Sequence, residues 1–361
     1  MKELHPVNIR KPMYKNIIRL IATLLSFILL YTPVMGCTDK KTVTDNEVKN
    51  VEEDSIEIGM AFDSFVIERW QRDRDVFVST AKELGAEVNV QNANGDIEEQ
   101  KKQIQYFINQ GVDVIVIICI DADSLNDVVK KAKDAGIKVI AYDRIVRNSN
   151  IDLYISFDNE TVGTQMGEAL IDAGLSDGDN VLMIGGSTVD YNVPVLEEGF
   201  KKVMDDNGVT VTDQVHCDGW RAELAADYVY ENLDKVREAD AIMCGNDNLA
   251  SRVVSVLAEQ RLAGKILVTG QDADVEACQR IVEGTQLVTI YKPTESLAAK
   301  AAECAIKLAN GEDLGATETM NDGTYDVPYI SLDTIPVTEK NMDEVIVNSG
   351  FHTKEDVYLN F

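Results

Sequence analysis

From Ile56 onward, apolar positions fall into two alternating kinds of run. Short, nearly continuous apolar segments begin near Ile56 (IEIGMAF), Glu87 (EVNVQNA), Val112 (VDVIVIIC) and Lys138 (KVIAYDR). Between them the spacing is helical: Leu125, Val128, Val129 and Ala132 recur at i, i+3, i+4 and i+7, and Ile97, Ile104 and Ile108 share a face. After Leu153 (LYISFDN) the alternation repeats at Asn180 (NVLMIGG), Val209 (VTVTDQV), Ala241 (AIMCGND), Ile266 (ILVTGQDA) and Leu287 (LVTIYKP). Apolar strands separated by amphipathic helices predict parallel sheet covered on both faces. The fold class is therefore α/β, with two consecutive doubly wound sheets. Gly85, Gly111, Gly136 and Gly264 stand after helical runs and before strands, as C-terminal caps do. Beyond Pro293 the pattern predicts a helix to Asn310, an irregular segment, one strand around Tyr329 to Val337, and a final small unit from Asp343 to Phe351. The second array ends before these pieces, so at least one of them returns to the first domain and the crossings form a hinge.

The first residues break this pattern. Lys15 and Arg19 precede an apolar run from Leu20 to Leu30, followed by Pro33-Val34-Met35-Gly36-Cys37. A charged start, a short apolar stretch and small residues before a cleavage point predict an export signal, too short for a membrane span. The Val-Met-Gly-Cys ending resembles the lipobox of bacterial lipoproteins, in which Cys37 would be lipidated and begin the mature chain; Met13 would give a more ordinary signal length than Met1. Thr38 to Asp54 is polar and without apolar period, as a flexible tether is.

Charge and cysteine content narrow the classes further. Lys2, Arg10, Lys11, Lys15 and Arg19 against Glu3 give residues 1–37 a charge of +4, which leaves −32 for the remainder of the −28 chain. So acidic a body repels phosphate backbones and excludes nucleic-acid partners. Cys119, Cys217, Cys244, Cys278 and Cys304 are odd in number and contain no Cys-x-x-Cys pair, so free, buried thiols are expected.

Polar clusters punctuate the strand-like runs: Glu68-Arg69-Trp70, Tyr142-Asp143-Arg144, Val189 to Asn192, Asp218-Gly219-Trp220, Gly245 to Asn248, Gly270 to Asp274 and Tyr291-Lys292-Pro293. In open parallel sheets, ligands sit outside the carboxyl ends of the strands, so these clusters read as one lining. Rich in Asp, Asn, Arg and Trp and poor in nucleophiles, the set favours gripping a neutral polyhydroxylated molecule. Planar bidentate groups suit its hydroxyls, and aromatic plates suit its C–H faces. Several residues keep two readings at this stage. Trp70 either faces a ligand or begins a core stripe with Phe77, Ala81 and Leu84. Arg69 opposes the positive end of its helix dipole, either at a site or on a solvated surface. Asp143 and Arg144 form either a site or a local ion pair. Asp190 and Asn192 flank one residue on an extended turn. One of Asn246 and Asp247 caps the next helix, and Asp274 caps the one after Asp272. Lys292 meets a ligand or ties hinge strands together. Asn94-Gly95-Asp96 reads as a turn, and no cofactor or metal spacing stands out.

IGMAFDSFVIERWQRDRDVFV, IKVIAYDRIV, DLYISFDNE, GGSTVDYN, CDGW, GNDN, GQDADV, GTQLVTIYKP and SGFH, collinear from Ile56 to Phe351, resemble the D-xylose-binding proteins of bacterial ABC importers, within the type I periplasmic-binding family. The resemblance implies two Rossmann-like lobes, residues 55–157 plus 293–328 and residues 158–291 plus 329–361. They would be joined by crossovers at Phe157 to Asn159, Tyr291 to Thr294 and Val327 to Leu332. It further implies a monomer with a sugar closed between its lobes. Trp70 and Trp220 would stack on the pyranose, while Arg69, Arg144 and Lys292 donate to hydroxyls and Asp143, Asp190 and Asp272 accept from them. Asn192 and Asn246 would also contact sugar, leaving Asp247 to cap. Tyr191 stands where the family pattern has asparagine. Implied partners are an ABC permease and its ATPase, at an extracytoplasmic membrane surface.

Three other classes compete. An enzyme lacks Gly-x-Ser-x-Gly, a phosphate-loop Lys or His-Glu-x-x-His here, although Asp190 with Asp272 could mimic a glycosidase pair. A repressor would need a basic helix-turn-helix where this chain has an export signal. An extracellular sugar sensor serving a membrane histidine kinase would keep the same site and change only the partner.

Overall fold

The computed structural model describes residues 55–359. The export signal, Cys37 and the tether lie outside the described residues. Strands and helices alternate: β1 (Ile56–Phe62), α1 (Arg69–Glu83), β2 (Ala86–Asn92), α2 (Ile97–Gln110), β3 (Val114–Ile117), α3 (Asn126–Asp134), β4 (Lys138–Tyr142) and β5 (Leu153–Phe157). The second series runs α4 (Asn159–Asp172), β6 (Asn180–Gly185), α5 (Asn192–Asp206), β7 (Thr210–His216), α6 (Ala222–Glu231), α7 (Leu233–Glu238), β8 (Ala241–Cys244), α8 (Asp247–Glu259), β9 (Leu267–Gln271), α9 (Val275–Val282) and β10 (Val288–Tyr291). Then come α10 (Thr294–Ala309), β11 (Glu318–Asn321), β12 (Asp326–Leu332), β13 (Ile335–Val337) and α11 (Lys354–Tyr358).

Two sheets result. The first has the order β11-β12-β5-β4-β3-β1-β2 and the second β13-β10-β9-β8-β6-β7. Pairing is parallel except for β11 with β12 and β10 with β13. Every residue of β3, β5 and β8 is buried, as strands covered on both faces must be. Local signals set the helix ends. Asp96 accepts from Glu98 N and Glu99 N at the start of α2, which makes Asn94 to Asp96 a capping turn, and Gly111 closes the helix at φ +75°. Asp158 starts α4 in the same way.

The chain leaves the first sheet after β5, returns to it with β11 and β12, and leaves again to form β13. The sequence pattern predicts a single strand near Tyr329 to Val337, with the second lobe resuming at residue 329. Instead Tyr329–Leu332 pair with Tyr154–Phe157 in the first sheet, so the crossing falls at Asp333–Thr334. Thr334 explains the break: its hydroxyl donates to Gln165 Oε1 (2.9 Å), and its carbonyl accepts from Gln165 Nε2 (3.2 Å) on α4. The fold also continues past Phe351 into α11, capped by Thr353. All five cysteines in the described residues are free and buried. Burial pushes the Cys217 thiol up to about 11.

One buried carboxylate clasps the far edge of the first sheet. Asp322 accepts from the backbone N–H groups of Ser149, Asn150, Thr324 and Tyr325 at 2.8–3.0 Å. Burial alone would raise its pKa, but these donors outweigh it and hold the group below its ordinary range. Asp322→Ala is expected to lower stability by about 1–3 kcal/mol at pH 7, since the donors lose a buried acceptor. A lowered folded-state pKa means that this contribution is complete above the unfolded value of about 4 and fades as pH falls below it. Urea unfolding at pH 7 and pH 3 measures both effects; identical midpoints for the two proteins at pH 7 would remove the clasp from the stability account.

Candidate functional site

The carboxyl ends of the two sheets face each other across one cavity, lined by residues from both. Arg69 and Trp70 reach it from the start of α1, and Asp143 and Arg144 from the end of β4. The second sheet supplies Asp190 and Asn192 after β6, Trp220 after β7, Asn246 after β8, Asp272 after β9 and Lys292 after β10. The ten residues singled out in the sequence thus line one space.

Asp143 occupies the left-handed region at φ +63° at the centre of a tight turn, with Arg144 N donating to Tyr142 O at 2.7 Å. Such strain persists only where the surroundings over-determine it. Here Asp143 N donates to Ile155 O, and the Asp143 carbonyl accepts from Ser156 Oγ (2.7 Å), Tyr154 Oη (3.1 Å) and Asn192 Nδ2 (3.1 Å). Its carboxylate Oδ2 lies 2.9 Å from Arg69 Nη2. Burial raises the Asp143 pKa, but Arg69, Lys292 and Arg144 more than offset this and leave it below the usual carboxylate range.

Arg144 commits two of its three nitrogens within the protein. Nη1 pairs with Asp63 at 2.7 Å and donates to Cys119 O at 3.2 Å, while Nε pairs with Asp190 at 2.7 Å. Asp190 is equally engaged, accepting from Asn192 N (3.0 Å) and Trp220 Nε1 (3.2 Å). Arg144 is therefore a buried link from the first sheet to the second. Asn192 begins α5, where an extended turn is expected from the sequence, and its amide reaches Asp143 across the cleft.

Trp220 ends a single turn of 3-10 helix at φ +57° and is 8% exposed. Its indole lies against bare backbone: a Cβ on Gly186 would collide with it, and one on Gly245 would come within 3.3 Å. Glycine at both positions gives the plate its seat. Trp70 resolves its two readings by serving both. It is 1% exposed, shares the buried face of α1 with Phe77 and Ala81, and still lines the cavity. Leu84, 48% exposed, does not continue that stripe. The Arg69 guanidinium sits 4.5 Å over the Trp70 ring, a cation–π contact.

Asn246 and Asp247 exchange the capping role. Asn246 Oδ1 accepts from Leu249 N at 2.9 Å and caps α8, leaving its amide nitrogen for the cavity. Asp247 caps nothing; it accepts from Thr289 Oγ1 (2.6 Å), Gln286 Nε2 (2.8 Å) and Asp274 N (3.1 Å), and burial pushes it up to about 7. Asp274 precedes α9 without a side-chain capping bond. Asp272, at φ +95°, lies 3.7 Å from both Arg69 Nη1 and Lys292 Nζ. Lys292 is 4% exposed and also faces the Phe157 ring at 5.7 Å. Tyr191 turns away from the cavity and stacks on Arg147 at 4.8 Å, so its departure from the family pattern falls on the rim.

Asn159, Glu197 and Gln271 line the cavity without having been singled out. Gln271 stood next to Asp272 in a marked cluster; Glu197, held by His216 (2.9 Å) and Gln214 (2.6 Å), gave no local signal. Three polar atoms on lining residues have no hydrogen-bond partner in the protein: Trp70 Nε1, Gln271 Oε1 and Asp272 Oδ1, the last facing Arg69 and Lys292 only at 3.7 Å. Buried polar groups are almost always satisfied, so one donor and two acceptors without hydrogen-bond partners here indicate what a ligand must supply.

Comparison with known proteins agrees with this geometry. Residues 58–313 match the periplasmic binding protein domain. The chain is 42% identical over 307 residues to the D-xylose-binding periplasmic protein of Escherichia coli and 40% identical over 308 residues to that of Haemophilus influenzae. Each alignment covers 84% of this chain and 92% of the relative. Among solved structures, a solute-binding protein of an ABC transporter from Clostridium phytofermentans with bound β-D-glucose superposes with a TM-score of 0.76 at 28% identity, covering 83% of this chain and 99% of that one. One from Chloroflexus aurantiacus in complex with D-glucose gives 0.77 at 25%, covering 83% and 97%. By sequence and by fold, this chain belongs to the periplasmic binding protein family.

Proposed function

We propose that the protein is an extracytoplasmic receptor that encloses D-xylose between its two lobes and delivers it to an ABC importer, held at the membrane by a lipid on Cys37. The observation that carries the reading is the cavity wall. Two indoles and three unpartnered polar atoms line the space between the sheets, and hydroxyls both donate and accept. Asp143, Asp272 and Gln271 would accept hydroxyl protons; Arg69, Lys292 and Asn246 would donate; Trp70 and Trp220 would meet the C–H faces. Arg144, Asp190 and Asn192 would act mainly by fixing that ring and tying the lobes. The relatives' names support xylose over other sugars.

Recognition without reaction follows from the same inventory. The lining carboxylates face cations or amides, and no lining residue is a Ser or Cys nucleophile. An analogue lacking one hydroxyl would strand a buried group at about 1–3 kcal/mol, or roughly tenfold in affinity. Closure would be driven by contacts that exist only when both lobes meet the sugar.

Titration calorimetry of residues 54–361, which form one compact unit, tests the proposal with D-xylose, D-ribose, L-arabinose, D-glucose and D-galactose. Xylose is expected to bind at about micromolar Kd or tighter, near −8 kcal/mol, with the others about tenfold weaker or more. No heat with any of the five, on refolded protein freed of carried-over sugar, would overturn it.

A further inference from the structure

Asp73 does not line the cavity, yet it is fully buried one turn after Arg69 on α1. Its carboxylate accepts from Arg69 Nε (3.3 Å) and Nη2 (3.1 Å) and from the Tyr142 hydroxyl. A grip on two nitrogens of one edge fixes the plane of a guanidinium as well as its position. The Nη end of the fork then points where the cavity is: Nη2 also reaches Asp143 at 2.9 Å, and Nη1 stands 3.7 Å from Asp272 on the other lobe. The same plane lies over Trp70. Tyr142 closes the loop of contacts, because it is the last residue of β4 and immediately precedes the strained Asp143. Without Asp73, a long cationic side chain at a helix N-terminus, unfavourably placed in the helix dipole, would have two cavity carboxylates to swing between.

We infer that Asp73, held by Tyr142, is a positioning residue for ligand recognition, which acts only through Arg69 by fixing the orientation of its fork. The inference rests on the sugar-binding reading above and adds to it a residue outside the cavity wall. Calorimetry with D-xylose on Asp73→Asn, Tyr142→Phe, Arg69→Gln and Asp73→Asn/Arg69→Gln tests it, together with ¹⁵N spectra of the arginine side chains in sugar-free protein. Asp73→Asn is expected to weaken xylose binding about tenfold and to shift the Arg69 Nε–H resonance. Tyr142→Phe, which keeps the packing, should move both in the same direction by less. In the Arg69→Gln background, Asp73→Asn should add no further loss, a coupling that a merely structural role would not produce. Xylose affinity within about twofold of the parent in both single variants, an unmoved Arg69 resonance, or losses that multiply in the double variant would overturn the inference. If the parent bound no sugar, the functional reading would fail, while the Arg69 resonance in Asp73→Asn and Tyr142→Phe would still decide whether Asp73 orients Arg69.

Discussion

Replacing Arg144 by alanine is expected to lower the stability of the folded part by roughly 3–5 kcal/mol and to weaken sugar binding by about two orders of magnitude. The guanidinium is 3% exposed and sits 2.7 Å from two carboxylates, Asp63 on its own lobe and Asp190 on the other. Removing it leaves both buried without a cation, and breaking a buried pair costs far more than the pair itself contributes. Burial already pushes the Asp63 and Asp190 carboxyls up, with Arg144 opposing it. In the variant nothing comparable opposes that rise. A carboxyl whose folded-state pKa is raised costs stability as pH climbs past its unfolded value, so the deficit should shrink toward pH 4 and be largest at pH 7. Urea unfolding at both pH values, with calorimetry at pH 7, measures this; an unchanged midpoint at pH 7 would show that the Asp63–Arg144–Asp190 link is dispensable.

The second large effect is expected at Asp143. Asparagine tolerates the left-handed backbone there and keeps the carbonyl that three side chains hold, so Asp143→Asn should fold. What it loses is the charge beside Arg69 and a strong acceptor. Hydrogen bonds to charged groups contribute about 1.5–3 kcal/mol, which predicts xylose binding roughly 10–100-fold weaker. Because its cationic neighbours keep Asp143 ionised below the ordinary carboxylate range, the wild-type protein should show no loss of affinity from this group between pH 7 and pH 5. Parent-like affinity in Asp143→Asn would remove the carboxylate from the recognition ring.

Much of this architecture is written in local pattern. Strands buried on both faces must be apolar throughout, so β3, β4, β5 and β8 announce themselves, and the polar residues that end such runs mark one edge of each sheet. Topology then gathers positions as distant as Arg69 and Lys292 around one cavity. Choices made by tertiary partners stayed hidden. Either Asn246 or Asp247 can cap a helix; Thr289 and Gln286, forty residues away, decide which. The apolar stretch from Tyr329 to Val337 reads as one strand, and Gln165 divides it. Asp63 and Asp73 work from behind the wall, where spacing alone gives them no distinction from solvated acids. Tyr191 sits between Asp190 and Asn192, but a turn can send neighbours to opposite sides, and it faces Arg147.

That rim also carries contacts between the lobes. Ala122 N donates to Val189 O at 3.0 Å, and Arg147 covers Tyr191, in each case from one lobe to the other and in neither case through the cavity wall. Contacts of this kind assist every ligand that permits closure by the same amount. They shift the whole affinity scale and leave the ratios between sugars to the inner ring. Part of the overall grip thus lies outside the ring that sets selectivity, so a lineage could retune how long its receptor keeps a sugar without altering which sugar it prefers.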